Sequence, residues 1–115
     1  MSRLIEFRCW NEHGKCFHGM SELGDKLHLF NNKNPSYVIE QFTELLDFNG
    51  AKIFEGDIVR DHNGIGEVQY SDKKAAFKVN YHDGFAKWFI DYNLKGERES
   101  IEVIGNIHQN SELLK

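Results

Sequence analysis

With 115 residues, 40% of them apolar and 13% aromatic, the chain is long enough to bury one hydrophobic core without disulfides or a structural metal. Lys and Arg total 14 against 18 Asp and Glu, a formal charge of −4. Residues 1–50 hold five basic and seven acidic side chains and residues 51–115 hold nine and eleven, so no basic lobe is available for polyanion binding without sequence preference.

No run approaches the roughly 20 apolar residues of a membrane-crossing helix, and the opening stretch MSRLIEFRCWNEHG lacks the apolar core of a signal peptide. Cys9 and Cys16 are too few for a secreted disulfide framework, so the expectation is a cytoplasmic protein with free thiols and no membrane contact. Nine Phe, four Tyr and two Trp against a single proline describe a packed chain rather than a disordered one.

In chain order, Glu6-Phe7-Arg8-Cys9-Trp10, the turn residues Asn11-Glu12-His13-Gly14 and Lys15-Cys16-Phe17-His18 predict a β-hairpin in which Trp10 pairs with Lys15 and Cys9 faces Cys16. Residues 21–36 read as a short turn capped by Ser21 and running to Leu27, then a loop over Asn31-Asn32-Lys33-Asn34-Pro35-Ser36. Tyr37 to Thr43 is β-branched and aromatic, a strand closed by the tight turn Asp47-Phe48-Asn49-Gly50.

Lys52 to Val59 returns with a bend at Gly56. Short strands follow at Ile58–Arg60, Gly66–Ser71, Ala75–Tyr81, Phe85–Ile90 and Ile101–Ile107. They are joined at Asn63-Gly64, at residues 71–74 and at His82-Asp83-Gly84, and Gly64-Ile65-Gly66 reads as a turn with two glycines. Phe77, Val79 and Tyr81 share one face by period two, as do Val68 and Tyr70. Five such strands suit a small closed barrel. A 3₁₀ turn is expected at Asp91-Tyr92-Asn93-Leu94, and a capped helical turn over residues 110–115.

Four blocks carry a resemblance: Phe7-Arg8-Cys9-Trp10; Gln41-Phe42-Thr43; residues 47–59, with D-x-N-G-x-x-I-F-E-G-D-I-V; and Ile101-Glu102-Val103-Ile104-Gly105-Asn106-Ile107. The chain resembles the YopX family of bacteriophage and prophage proteins over nearly its whole length. It departs from the family pattern at Cys9, where Ala is common, at Glu44, where Gly is frequent, and at Ser111, where Pro precedes Glu-Leu-Leu. The resemblance implies a mobile-element protein of the bacterial cytoplasm, with a mixed N-terminal piece joined to an SH3-like barrel, and an oligomer. It implies no activity and no cofactor.

Its blocks also read as fold signatures. The carboxylates in Ile53-Phe54-Glu55-Gly56-Asp57-Ile58-Val59 can accept backbone N–H bonds where a strand starts, and Gly105 can bend or bulge a closing strand. Trp10, Gly50, Glu55, Gly56, Asp57, Gly105 and Asn106 are the residues expected to carry this structural role.

Candidate chemistry is thin. Cys9, His13, Cys16 and His18 are zinc-type ligands in the spacing C-x3-H-x2-C-x-H, but a hairpin aims His13 and His18 in different directions, and no metal is expected. Glu55, Asp57, Asp61 and His62 could serve acid–base chemistry, yet such clusters are usually solvated turns, with only His82 and Asp83 as a second set. No P-loop, G-x-S-x-G, H-E-x-x-H or G-x-G-x-x-G is present.

Lys73, Lys74, Lys78 and Lys87, interleaved with Phe77, Tyr81 and Trp88, form the one basic stripe that could stack single-stranded bases. Alternation opposes this in part, since Lys78 points out where Phe77 and Tyr81 point in. The expected protein is therefore mainly β (α+β), with an N-terminal hairpin subdomain over residues 1–50 and an SH3-like barrel over 51–115. It is expected to be a non-catalytic, self-associating module that binds a phage or host protein, with nucleic-acid binding as the rival reading.

Overall fold

The computed structural model describes residues 6–19, 37–81, 84–88 and 101–114. The turn expected at 21–27, the loop at 31–36, His82 and Asp83, and the 3₁₀ turn at 91–94 lie outside them. The chain forms two units, Met1–Phe42 and Thr43–Lys115. Among the described residues both are built from antiparallel strands with almost no helix.

In the first unit β1 (Phe7–Asn11) lies between β2 (Cys16–His18) and β3, which starts at Tyr37 and ends at Leu46. The hairpin register differs from the expected one: Trp10 pairs with Phe17, Cys9 with His18 and Asn11 with Cys16. Two local causes set it. Asn11 Oδ1 accepts from the backbone N–H groups of His13 (3.1 Å) and Gly14 (3.3 Å), and Lys15 takes a left-handed φ of 54°, so the loop spans residues 12–15. The resulting Trp10–Phe17 pair meets edge to face at 4.9 Å, the preferred geometry for two aromatic quadrupoles.

On β1 and β3, Arg8 pairs with Glu40, and its Nε donates to Glu40 Oε1 at 2.9 Å. The guanidinium also lies over Phe17, 4.1 Å from the ring centre. Glu40 is almost fully buried; a carboxylate there is tolerated because it is paired.

The β3 strand continues past Thr43, further than its residue types indicate, and is interrupted at Glu44, whose φ is 73°. Thr43 Oγ1 accepts from Leu45 N–H at 3.2 Å and donates to the Ile53 carbonyl at 2.8 Å. A left-handed residue inside a strand with a local side-chain bond is the geometry of a bulge.

The second unit adds β4 (Lys52–Phe54), β5 (Asp57–Asp61), β6 (Gly64–Ser71), β7 (Ala76–Tyr81), β8 (Ala86–Trp88) and β9 (Glu102–Asn106). Five of these form a sheet in the order β8-β7-β6-β5-β9. The strands match the short extended segments expected from alternation, except that β6 begins at Gly64, two residues before the expected start at Gly66, so that Gly64 and Ile65 lie in the sheet as well. A Cβ on Gly66 would stand 2.7 Å from Val79 Cγ1, so β6 and β7 approach too closely there for any side chain.

Val68 pairs with Val79, and both are fully buried together with Ile53, Val59 and Ile101. Tyr81 joins this core, and Leu45, Phe77 and Val103 pack against it. Each such side chain contributes about 1.5–3 kcal/mol by leaving water. The inward set expected on β7 is the observed one, whereas Tyr70 is 40% exposed and meets Phe77 edge to face at 5.2 Å. The chain closes with a 3₁₀ helix, Ser111–Leu114, where the capped turn was expected.

Candidate functional site

Two groups of residues stand out, one turned toward the backbone and one toward solvent. The first is built around Asp47, which is 6% exposed. Its Oδ1 accepts from Asn49 N–H (2.9 Å) and Ala51 N–H (2.8 Å), and its Oδ2 accepts from Val103 N–H (2.9 Å). One carboxylate therefore shapes the β3–β4 turn, in which Gly50 has a φ of 86°, and ties that turn to β9. Phe48 N–H adds a bond to the Ile101 carbonyl at 3.0 Å. Sequence reasoning quoted Asp47 but assigned it no role; the Asp-x-Asn-Gly turn signal shows the local bonds and hides the one to Val103.

The Glu55-Gly56-Asp57 bend works in the same way. Asp57 Oδ2 accepts from Phe54 N–H at 2.8 Å, the capping role expected for this carboxylate. Gly56, at a φ of 88° that strongly favours glycine, donates its N–H to the Val68 carbonyl and accepts from Ile107 N–H, each at 2.9 Å. Its peptide groups thus register β6 and the end of β9 together.

At Gly105 the ladder slips: Ile58 pairs with Gly105 but Val59 with Val103, leaving Ile104 as the extra residue of the expected bulge. A Cβ on Gly105 would lie 2.6 Å from Asn110 Oδ1 and 2.8 Å from Asn110 Cβ. That oxygen accepts from Asn106 N–H at 3.2 Å. Asn106 Oδ1 in turn accepts from His108 and Gln109 N–H, both at 3.0 Å, so the Gly-Asn-Ile-x-x-Asn string is a clasp ending the last strand. Trp10 is also inward, 1% exposed, with its indole N–H on Glu12 Oε2 at 2.7 Å.

The second group is the basic stripe. Lys73 and Lys74 are exposed in the β6–β7 turn. Lys78 pairs with Trp88 while Val79 pairs with Lys87, which puts Lys87 on the opposite sheet face from Lys78 and Trp88. The Lys78 ammonium lies 5.7 Å from the Trp88 ring centre, within cation–π range. Lys78 thus stands apart from Phe77 and Tyr81, as expected, but beside Trp88, which alternation on β7 does not reach. Glu67 shares the Lys78 face through its pairing with Asn80, so that face carries both signs of charge.

The two candidate chemical clusters do not assemble. Asp57 and Asp61 end β5 at opposite limits, about 13 Å apart at the strand rise. Asp61 accepts from Asn63 N–H (Oδ1, 2.7 Å) and from the Tyr81 hydroxyl (Oδ2, 2.6 Å). The hairpin register puts Cys9, Cys16 and His18 on one face, with His13 in the loop. Among the described residues no three His, Cys, Asp or Glu side chains converge as metal ligands would. Both thiols are free. Burial, then the charge of Glu40, pushes the Cys9 thiol above the ordinary thiol range.

The geometry defines a small, mainly β protein in which the buried Asp47 and Asp57 carboxylates hold backbone N–H groups. Residues 9–115 match the family described as YopX protein, and the chain belongs to that family. Among solved structures it is similar to the crystal structure of protein EF1440 from Enterococcus faecalis, with 27% sequence identity, a TM-score of 0.62, and coverage of 99% of this chain and 100% of that one. A search of curated proteins gives no match. Among the described residues no helix is long and apolar enough to cross a membrane.

Proposed function

We propose that the protein is a phage- or prophage-encoded binding module of the bacterial cytoplasm, without chemistry of its own, and that its first partner is a second copy of itself. The observation carrying this reading is the apolar pair on the β3–β4 hairpin, Leu46 at 44% and Phe48 at 55% exposure. The Phe48 backbone is fixed by its bond to Ile101, so the ring is displayed from a rigid turn, at low entropic cost for a partner. In this reading residues 1–50 form an N-terminal piece and residues 51–115 close as an SH3-like barrel; the bulge at Ile104 supports the curl such closure needs.

Light scattering on a size-exclusion column tests the self-association. A mass above the 13.4 kDa monomer, returned to 13.4 kDa by Phe48→Glu, is the expected result. The monomer mass at every concentration overturns it.

A second reading, contact with single-stranded nucleic acid, is favoured by the Lys78–Trp88 pair beside Lys73 and Lys74. It predicts salt-dependent retention of single-stranded DNA or RNA that is lost in the triple variant Lys73→Glu, Lys74→Glu, Lys78→Glu.

A further inference from the structure

The chain has two Asn-Gly dipeptides, Asn49-Gly50 and Asn63-Gly64, and the fold holds them in unlike ways. Asparagine before glycine is the pairing most open to intramolecular deamidation, because glycine places no Cβ between its amide nitrogen and the asparagine side chain. The reaction needs that nitrogen deprotonated and the turn free to swing it onto Cγ.

At residues 49–50 the turn is clamped. Gly50 N–H donates to the Asp47 carbonyl at 3.0 Å, Asn49 and Ala51 N–H are held by Asp47 Oδ1, and Asp47 Oδ2 and Phe48 N–H anchor the turn to Val103 and Ile101. At residues 63–64 Asp61 takes the corresponding place, its second oxygen holding a side chain, the Tyr81 hydroxyl at 2.6 Å. Asp61 pairs with Gly64 across the two-residue turn His62-Asn63 and Asn63 N–H donates to Asp61 Oδ1; Asn63 is exposed as Asn49 is, so hydrogen bonding is what separates the two turns. A hairpin end of this kind opens without disturbing the rest of a sheet.

We infer that Asn63 is a modification site of this protein, converting to isoaspartate and aspartate in the folded state, while Asp47 protects Asn49. The Gly64 amide nitrogen bonds to the Asn63 side-chain carbonyl carbon, the C–NH2 bond breaks, and ammonia leaves with the amide proton to give a cyclic imide. Water then opens either carbonyl of the imide. The sum is Asn plus water giving isoaspartate or aspartate plus ammonia, and no other reagent is needed. The isoaspartyl product lengthens the backbone of a two-residue turn and adds a negative charge beside Asp61, whose other oxygen holds the Tyr81 hydroxyl.

Peptide mapping by mass spectrometry tests this on the whole chain held at mildly alkaline pH, once folded and once in concentrated urea, with isoaspartyl methyltransferase labelling the product. In the folded protein residue 63 should convert about tenfold faster than residue 49, or more, because each charge-assisted bond that has to open first costs at least that factor. In urea the two rates should converge, and Asn63→Gln should remove the fast phase. Equal rates in the folded protein, a faster Asn49, or no conversion at either turn overturns the inference.

Discussion

The β3–β4 turn and the β6–β7 turn are both short connections rich in polar residues, yet they use those residues in opposite ways. In the first, Asp47 is buried and spends both oxygens on backbone N–H groups, one of them 56 positions away in sequence. In the second, Lys73 and Lys74 are exposed, and the described side-chain bond is Ser71 Oγ accepting from Lys74 N–H at 3.3 Å. The difference teaches how to read the blocks that define the family. Asp47, Gly56, Asp57 and Asn106 are hydrogen-bonded to the chain itself and Gly105 sits against Asn110, so folding alone accounts for these residue types. A partner's surface has to be sought among residues such as Phe48, Tyr70 and Lys74 that the blocks do not explain.

The strongest way to break this comparison is Asp47→Ala. It leaves three N–H donors without their carboxylate, one of them in β9, and should cost about 3 kcal/mol or more in urea unfolding. Lys74→Ala, in the contrasting turn, should stay within about 0.5 kcal/mol. Similar losses for the two would remove the distinction. Next in size is Gly105→Ala, for which we expect about 2–3 kcal/mol because the new methyl meets both Oδ1 and Cβ of Asn110. The same change in an Asn110→Gly background should cost much less, since the clash is then gone. Equal penalties in both backgrounds would place the cost in backbone conformation instead.

Much of the second unit was legible in the sequence because alternation and turn residues are local signals: Phe77, Val79 and Tyr81 on one face, Gly56 at a bend, Gly105 at a bulge. What stayed hidden depended on register or on distant partners. Nothing in Lys15 or Glu44 announces a left-handed φ, so the hairpin slipped by two positions in the sequence reading and the β3 bulge went unseen. Period two on β8 cannot say whether Lys87 or Trp88 stands beside Lys78; only the pairing with β7 does.

Glu44 nonetheless converts a departure from the family pattern into a prediction. The resemblance implies glycine there, and the left-handed φ of 73° gives glycine a steric advantage. Glu44→Gly should therefore stabilise the protein by about 0.5–1 kcal/mol, the relief of a left-handed non-glycine residue less the entropy glycine adds to the unfolded chain. A rise in the midpoint of urea unfolding at unchanged slope is the expected readout, and a fall would mean that Glu44 makes contacts worth more than its strain.

The smallest expected effect belongs to Cys9, another of the three departures, and is visible only through pH. Burial and Glu40 raise its folded-state pKa, so its thiol ionises more easily in the unfolded chain. The sign follows from linkage: the contribution is fully present below the ordinary thiol pKa and is lost as pH rises from there through the raised folded value. The stability difference between the native protein and Cys9→Ala should thus shrink in alkaline unfolding experiments and hold constant at neutral pH. Alkylation reports the same contrast between two residues of one hairpin. Cys16, exposed, should react with iodoacetamide in the folded state, and Cys9 only as the chain unfolds. Equal labelling of the two would mean that the first unit opens far more often than its partly buried Arg8–Glu40 pair allows.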